Sequence, residues 1–347
     1  MGIVKTPPRT VPHSRPTIGE AEIEAVARVM RSGHLAQGPE VEAFEQECAE
    51  FVGRKYAVAV SSGTAALHLA LGAVGVDSET RIALPAYACA SLLTAVTLQG
   101  GTAALCDVGD DFNLDPTAVP AGCPVAIVPH LFGAAALLPE AGIVMEDIAQ
   151  SIGGGTGQAS PVAITSFYAT KMLTTGEGGM VLTDDEGIAE YARDRRDYDN
   201  REDFAPRFAY KMTDVQAAMG RVQLKRLPEF VKLRRAIADR YTQALGTLPL
   251  ELPRADDHVY FRYVIRTEAR EALEQGLNAA GIEAKRPVYK PAHQYFRDEG
   301  GTGAVALLDH YPGADSAHEQ ALSLPIHPSM DENDVNYVIE SISGLLN

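Results

Sequence analysis

Apolar positions recur at helical spacing over residues 19–32 (GEAEIEAVARVMRS). Ile23, Val26, Ala27 and Met30 form one stripe, and Gly33 offers a stop. Pro39 to Val52 repeats the pattern and ends at Gly53. The period then shortens. Tyr56 to Val60 is a β-rich run that leads directly into Ser61-Ser62-Gly63-Thr64 and a helix-like AALHLALGAVG. Further short apolar runs follow at Arg81–Leu84, Ala103–Cys106, Val125–Val128, Ile143–Met145, Ala163–Phe167 and Met180–Thr183, separated by helix-like segments or turns. This alternation predicts an α/β fold with a largely parallel sheet and crossovers. The link from Val128 to Ile143 has room for a brief helix at most.

After Met212 a long helical pattern runs through DVQAAMGRVQLKRL, with a break expected at Pro228, and resumes through FVKLRRAIADRYTQAL. Past Leu250 the texture changes: Tyr260–Ile265 reads as a strand, Glu268–Ala280 as a helix and Asp331–Leu346 as a closing helix. The expected organisation is a large domain over 1–240, opened by an extended arm at 1–16, and a smaller α+β domain over 241–347.

Charge narrows the partners. A net charge of −16 over 347 residues argues against nucleic acid or an anionic membrane surface as the main partner. An anionic substrate would then need a local basic cluster. Cys48, Cys89, Cys106 and Cys123 lack metal-like spacing, so neither a metal site nor a disulfide framework is expected, and a cytoplasmic location fits. The N-terminus is polar and proline-rich, unlike a signal peptide, and no apolar run approaches the ~20 residues of a membrane span.

Candidate chemistry centres on Lys171. Thr165-Ser166-Phe167-Tyr168-Ala169-Thr170 precedes it, and the glycine cluster Gly176-Glu177-Gly178-Gly179 follows. A lysine amine condenses with an aldehyde, and a carboxylate at a strand end holds a pyridine nitrogen protonated; pyridoxal 5′-phosphate (PLP) needs both from its protein. Asp147 ends an apolar run, where α/β ligand sites lie. Gln150, three residues on, is placed to reach the ring oxygen. Gly63 and Thr64 open a helix after a strand, which suits a phosphate, and Ser166 stands five residues before the lysine. The GGGTG run at 153–157 lacks dinucleotide-loop spacing and reads as a flexible loop. His130 reads either as a packed histidine or as a substrate contact. Lys285-Arg286 and His293 form a basic group suited to a diphosphate.

Taken together these segments resemble the DegT/StrS family of PLP-dependent sugar aminotransferases, from about residue 16 onward. The resemblance is carried by GHLAQGPEVEAFEQECAEFVG, YAVAVSSGTAALHLAL, MEDIAQSIGG, TSFYATKMLTTGEGGMVLT, MTDVQAAMGRVQLKRL, RPVYKPAHQYF and ALSLPIHPSM. It implies a fold type I transferase with a mostly parallel seven-stranded sheet and a smaller C-terminal domain. It also implies Lys171 as the Schiff-base lysine and proton shuttle, Asp147 at the pyridine nitrogen, Gln150 near the ring hydroxyl, and Gly63, Thr64 and Ser166 around the phosphate. Homodimers with interfacial active sites, glutamate as donor and a nucleotide-linked keto sugar as acceptor follow from the same resemblance. Relatives that dehydrate sugars carry histidine at the lysine position, so Lys171 favours transamination; a cyclitol ketone and a relic non-enzymatic sensor are the alternatives. Two departures touch the cofactor. Cys89 stands where relatives place a stacking aromatic, leaving Tyr87 or Cys89 itself to cover the ring. Ala209-Tyr210-Lys211-Met212 replaces the usual Asn-Tyr-Arg-Met, so Lys211 keeps the charge of the arginine without its fork. The stretch between His130 and Glu146 is also shorter than in relatives.

Overall fold

The computed structural model describes residues 9–253, 257–298 and 304–346. In chain order the elements are α1 (Glu20–Ser32), α2 (Pro39–Val52), β1 (Tyr56–Val60), α3 (Gly63–Ala73), β2 (Arg81–Pro85), α4 (Ser91–Gln99), β3 (Thr102–Cys106), β4 (Val125–Pro129) and β5 (Ile143–Asp147). β6 (Val162–Ser166), β7 (Gly179–Thr183), α5 (Glu186–Arg195), α6 (Asp214–Leu245), β8 (Tyr263–Arg266), α7 (Arg270–Ala279), α8 (Gln294–Asp298), β9 (Val305–Ala306), α9 (Pro312–Gln320), β10 (Ala321–Leu324) and α10 (Glu332–Leu346) complete the chain.

The main sheet has the order β1-β7-β6-β5-β4-β2-β3-β9. Only β7 runs against its neighbours, so the sheet is mostly parallel as its apolar runs imply. It has eight strands rather than seven. The extra one, β9, is two residues long, comes from the C-terminal part and pairs with β3 at the edge.

Period-two alternation divides the core. Val58 and Val60 of β1 pack on one face with Leu67 and Leu71 of α3 and Val96 of α4, while Ala57 and Ala59 face Phe44 of α2 and Leu224 of α6. Helices therefore cover both faces, as a parallel sheet requires. A third cluster joins Ile237, Tyr241 and Leu245 of α6 to Leu277, Leu324 and Ile342.

α6 continues through Pro228, contrary to the expected break. An interior proline costs about 3 kcal/mol and one backbone hydrogen bond. Leu224, Leu227 and Val231 bury into the second cluster and Ile237 onward into the third, so the helix is held on both sides of the proline. The GGGTG run is also not a loose loop: Gly157 N–H donates to Glu146 (2.8 Å), and the Thr156 hydroxyl bonds that of Ser151 (2.7 Å). Of the expected arm, residues 1–8 lie outside the described residues. Val11 is strapped to the C-terminal part through Gly281 O (2.9 Å) and Glu283 N (3.0 Å). Among the described residues no helix is long and apolar enough to cross a membrane.

Candidate active site

Register brings the candidate residues to one edge. Val60, Gly179 and Ser166 stand side by side across β1, β7 and β6, and Asp147 ends β5 against Pro129 of β4. The turns after these strands open at the carboxyl edge of the sheet, where ligands of open α/β sheets bind.

The phosphate candidates form a cradle without room for extra side chains. A Cβ on Gly63 would fall 2.7 Å from Ser166 Cβ, and one on Gly179 would fall 2.3 Å from Ser62 O. Ser62 caps α3 by accepting from Ala65 N (3.1 Å). That cap leaves the Gly63 and Thr64 N–H groups facing outward at the positive end of the helix, next to the Ser166 hydroxyl. Gly63, Thr64 and Ser166 are all half-buried, hence open to a ligand.

Lys171 sits in a loop closed at both ends. Phe167 N–H donates to Gly178 O (2.9 Å), Thr175 N–H to Phe167 O (3.0 Å) and Lys171 N–H to Tyr168 O (2.9 Å). The Lys171 ammonium lies 5.2 Å from the centroid of the Phe261 ring. Burial lowers its pKa; the charge of Asp147 acts the other way, and Arg262 adds to the lowering. Asp147 shows the converse. Burial raises its pKa, and Lys171, the Ala149 N–H (2.9 Å) and His130 oppose the rise. Each group thus feels the other's charge in a poorly solvated site.

Glu146 and Asp147 are adjacent, yet they point to opposite faces of β5. Asp147 looks into the site. Glu146 is 2% exposed and accepts five hydrogen bonds, from His130, Gly157, Ala159 and both donors of Ser160. His130 resolves as a packed histidine. It is 2% exposed, its Nδ1 accepts from Ala136 N (2.8 Å), and its Nε2 therefore carries the proton given to Glu146 (3.0 Å). Gln150 uses its side-chain oxygen to hold Phe132 N–H (2.9 Å), which leaves its amide NH₂ for the site.

Several other expected contacts lie elsewhere. Tyr87 is fully buried, stacks on Phe112 and donates weakly to Ala317 O (3.4 Å), so it does not cover a cofactor ring. Cys89 is exposed and near enough to Lys171 to favour its charged form. The Lys211 ammonium is taken by Asp197 (2.7 Å) and Asp199 (3.0 Å). His293 is 1% exposed and bonded to Asp315 (2.8 Å), which removes it from substrate contact. Arg286 bonds the His318 ring (2.8 Å), while Lys285 is exposed and close enough to Arg262 for the two charges to repel.

Sequence comparison decides the family. A model of the DegT/DnrJ/EryC1/StrS aminotransferase family matches residues 16–343. The chain belongs to that family. It is 33% identical to the spore coat polysaccharide biosynthesis protein SpsC of Bacillus subtilis, with 97% of each chain covered. The fold is similar to the aminotransferase TlmJ of Streptoalloteichus hindustanus (28% identity, TM-score 0.86, 97% and 99% covered). It is also similar to NtdA of Bacillus subtilis, solved with bound cofactor PMP (25% identity, TM-score 0.85, 95% and 83% covered). The protein is a PLP-dependent aminotransferase of fold type I.

Residues not singled out from the sequence border the candidate site. Glu146 was hidden beside Asp147. Phe132, at φ 61°, forms the turn that packs on residues 258–262: Val259 N–H donates to Gly133 O (2.9 Å) and Arg262 N–H to Phe132 O (3.1 Å). Those bonds delay β8 to Tyr263 and carry Phe261 and Arg262 over the sheet edge. The available signal was an arginine inside the apolar run Tyr260–Ile265.

Proposed function

We propose that this aminotransferase takes an amino group from a glutamate-type donor and delivers it to the keto group of a nucleotide-linked sugar. The observation that carries the reading is the mutual influence of Lys171 and Asp147 at the carboxyl edge, with the Gly63–Ser166 cradle on the same edge. The residues present fit PLP. The Gly63 and Thr64 N–H groups and the Ser166 hydroxyl suit its phosphate, Asp147 its ring nitrogen, the Gln150 amide its ring hydroxyl and the Lys171 amine its aldehyde. Bound there, the cofactor supplies an electron sink beside the transferred amino group.

The protein's own groups do the rest. Burial raises the pKa of Asp147, the Lys171 charge and the Ala149 N–H oppose that rise, and a protonated ring nitrogen beside it would give its carboxylate a counter-charge. The Lys171 amine, its pKa lowered by burial, is the base that takes the proton from the donor's α-carbon. The Phe261 ring beside Nζ limits access of water. Exposed Lys285, in a chain of net charge −16, offers an acceptor diphosphate a local cation.

The same reading takes the protein as a cytoplasmic homodimer whose sites are completed at the subunit interface, with units over 1–240 and 241–347. Leu137 (75% exposed), Phe204 (99%) and Tyr289 (87%) are apolar surfaces of the kind a partner covers. To test the function, purified holoenzyme is mixed with glutamate, and the visible cofactor band is followed. Glutamate should remove the band and a nucleotide-linked keto sugar restore it. Restoration by a cyclitol ketone alone would overturn the acceptor, and turnover by Lys171→Ala would overturn the assignment of the base.

A further inference from the structure

Half-buried Arg262 stands apart from the other arginines whose side chains are largely covered: among the described residues its side chain hydrogen-bonds no oxygen atom. Arg54, Arg196, Arg207 and Arg270 each pair with a carboxylate. Arg234 and Arg266 pair with no carboxylate among the described residues, but each donates to backbone oxygen: Arg234 Nη1 to the carbonyls of Tyr260, Phe261 and Ile326, and Arg266 Nη2 to that of Asp110 (3.0 Å). Arg262 makes no ion pair among the described residues. Among the described residues its guanidinium hydrogen-bonds only the His13 ring, at 3.3 Å from Nδ1 and 3.1 Å from Nε2. His13 brings no negative charge: burial and then Arg262 lower its pKa to about 2, so it is a neutral imidazole. Arg262 itself, lowered by burial to about 10, stays charged at neutral pH.

A poorly solvated cation without a counter-ion is costly, and its lone partner here leaves most of the guanidinium's five donors free. Its position is informative. The Phe132 carbonyl anchors its backbone, and its Cζ lies 5.1 Å from the same Phe261 ring centroid that Lys171 Nζ approaches to 5.2 Å. The two cations therefore share one aromatic ring at the sheet edge, with Lys285 close enough to Arg262 for their charges to repel.

We propose that the Arg262 guanidinium is the docking point for a carboxylate of the amino donor, holding the donor's α-carbon within reach of Lys171. The inference rests on the aminotransferase reading above and adds to it the group that selects an acidic donor. A planar fork of N–H donors matches a carboxylate bidentately, and binding would give the half-buried cation a counter-charge that the described residues do not supply.

The test separates donor from acceptor. In the donor half-reaction, holoenzyme is titrated with glutamate and loss of the visible band is followed. Arg262→Met should raise the half-saturating glutamate concentration on the order of 100-fold, the scale of a lost charge-assisted pair. Arg262→Lys should recover part of that. The acceptor half-reaction, started from the aminated enzyme, should keep its concentration dependence. Maleate, an unreactive dicarboxylate, should bind cofactor-free wild type by calorimetry and bind Arg262→Met at least tenfold more weakly. Equal weakening of donor and acceptor, or unchanged glutamate and maleate affinities, would overturn the proposal. If Arg262→Met does not fold, Arg262→Lys and maleate decide it: no maleate binding to wild type, or equal binding to the lysine variant, overturns it. If wild type binds maleate but no amino donor removes its visible band, the functional reading fails while the carboxylate site stands.

Discussion

Glu146→Gln removes one charge from the sheet without changing its shape. The wild-type carboxylate is 2% exposed, and its two oxygens take His130 Nε2 (3.0 Å) and Gly157 N (2.8 Å) on one side, Ala159 N (2.9 Å), Ser160 N (3.0 Å) and Ser160 Oγ (2.9 Å) on the other. Burial alone would raise its pKa. The hydrogen bonds from His130, Gly157 and Ser160 outweigh burial and hold it at about 2, against an ordinary 4.5. At 1.36 kcal/mol per pKa unit, the ionised form stabilises the fold by roughly 3 kcal/mol at neutral pH. Because the folded pKa lies below the unfolded one, that stabilisation is complete above about pH 4.5 and disappears as pH falls through about 2. Glutamine cannot carry the charge, and its NH₂ must face donors on one side. Urea unfolding at pH 7 should therefore find the variant about 3 kcal/mol less stable, with an apparent Tm lower by roughly 5 °C. Between pH 4.5 and pH 3 the gap to wild type should narrow. A gap at pH 7 below about 1 kcal/mol, or one that stays constant down to pH 3, would refute the claim that a charged carboxylate holds this turn.

Gly63→Ala places a methyl group 2.7 Å from Ser166 Cβ in the cradle. Cofactor retention through gel filtration should fall about tenfold or more while the far-ultraviolet dichroism is kept, on the 1–3 kcal/mol scale of overpacking. Asp147→Asn should leave cofactor bound but reduce kcat by roughly 100-fold or more, since on the proposed assignment the amide could not hold a proton on the cofactor's ring nitrogen; a single-turnover measurement checks this. Arg234→Met strands the carbonyls of Tyr260, Phe261 and Ile326 in the core. Urea unfolding should show a loss of about 2–4 kcal/mol, and a change below 1 kcal/mol would count against the role of this staple.

Local pattern carried most of the elements. Helical spacing located α1 and α2 to within a residue, and the seven apolar runs each became a strand of the main sheet. Two failures share a cause. Pro228 reads as a stop because the local rule counts one lost hydrogen bond, whereas α6 is held by side chains buried in two separate clusters. The eighth strand is invisible because two residues carry no periodicity, and β9 exists only because β3 offers it an edge.

The candidate site divides in the same way. Lys171, Asp147, Gly63, Thr64 and Ser166 were legible because their chemistry is tied to strand ends and turns, which are local features. The role of Glu146, the neighbour of Asp147, was not, since its partners His130, Gly157, Ala159 and Ser160 are gathered only by the fold. His130 and His293 look alike as polar residues near the chemistry; their burial against Glu146 and Asp315 comes from distant segments folding over them. Arg262 is the sharpest case. By itself the sequence determined an α/β aminotransferase and pointed to Lys171, Asp147 and the Gly63–Thr64 turn as its candidate site, because those depend on residue type and short spacing. Only the tertiary structure decided which charges are neutralised and which are left to a ligand. Ion pairing depends on neighbours brought from far along the chain, and among the described residues no carboxylate was brought to Arg262.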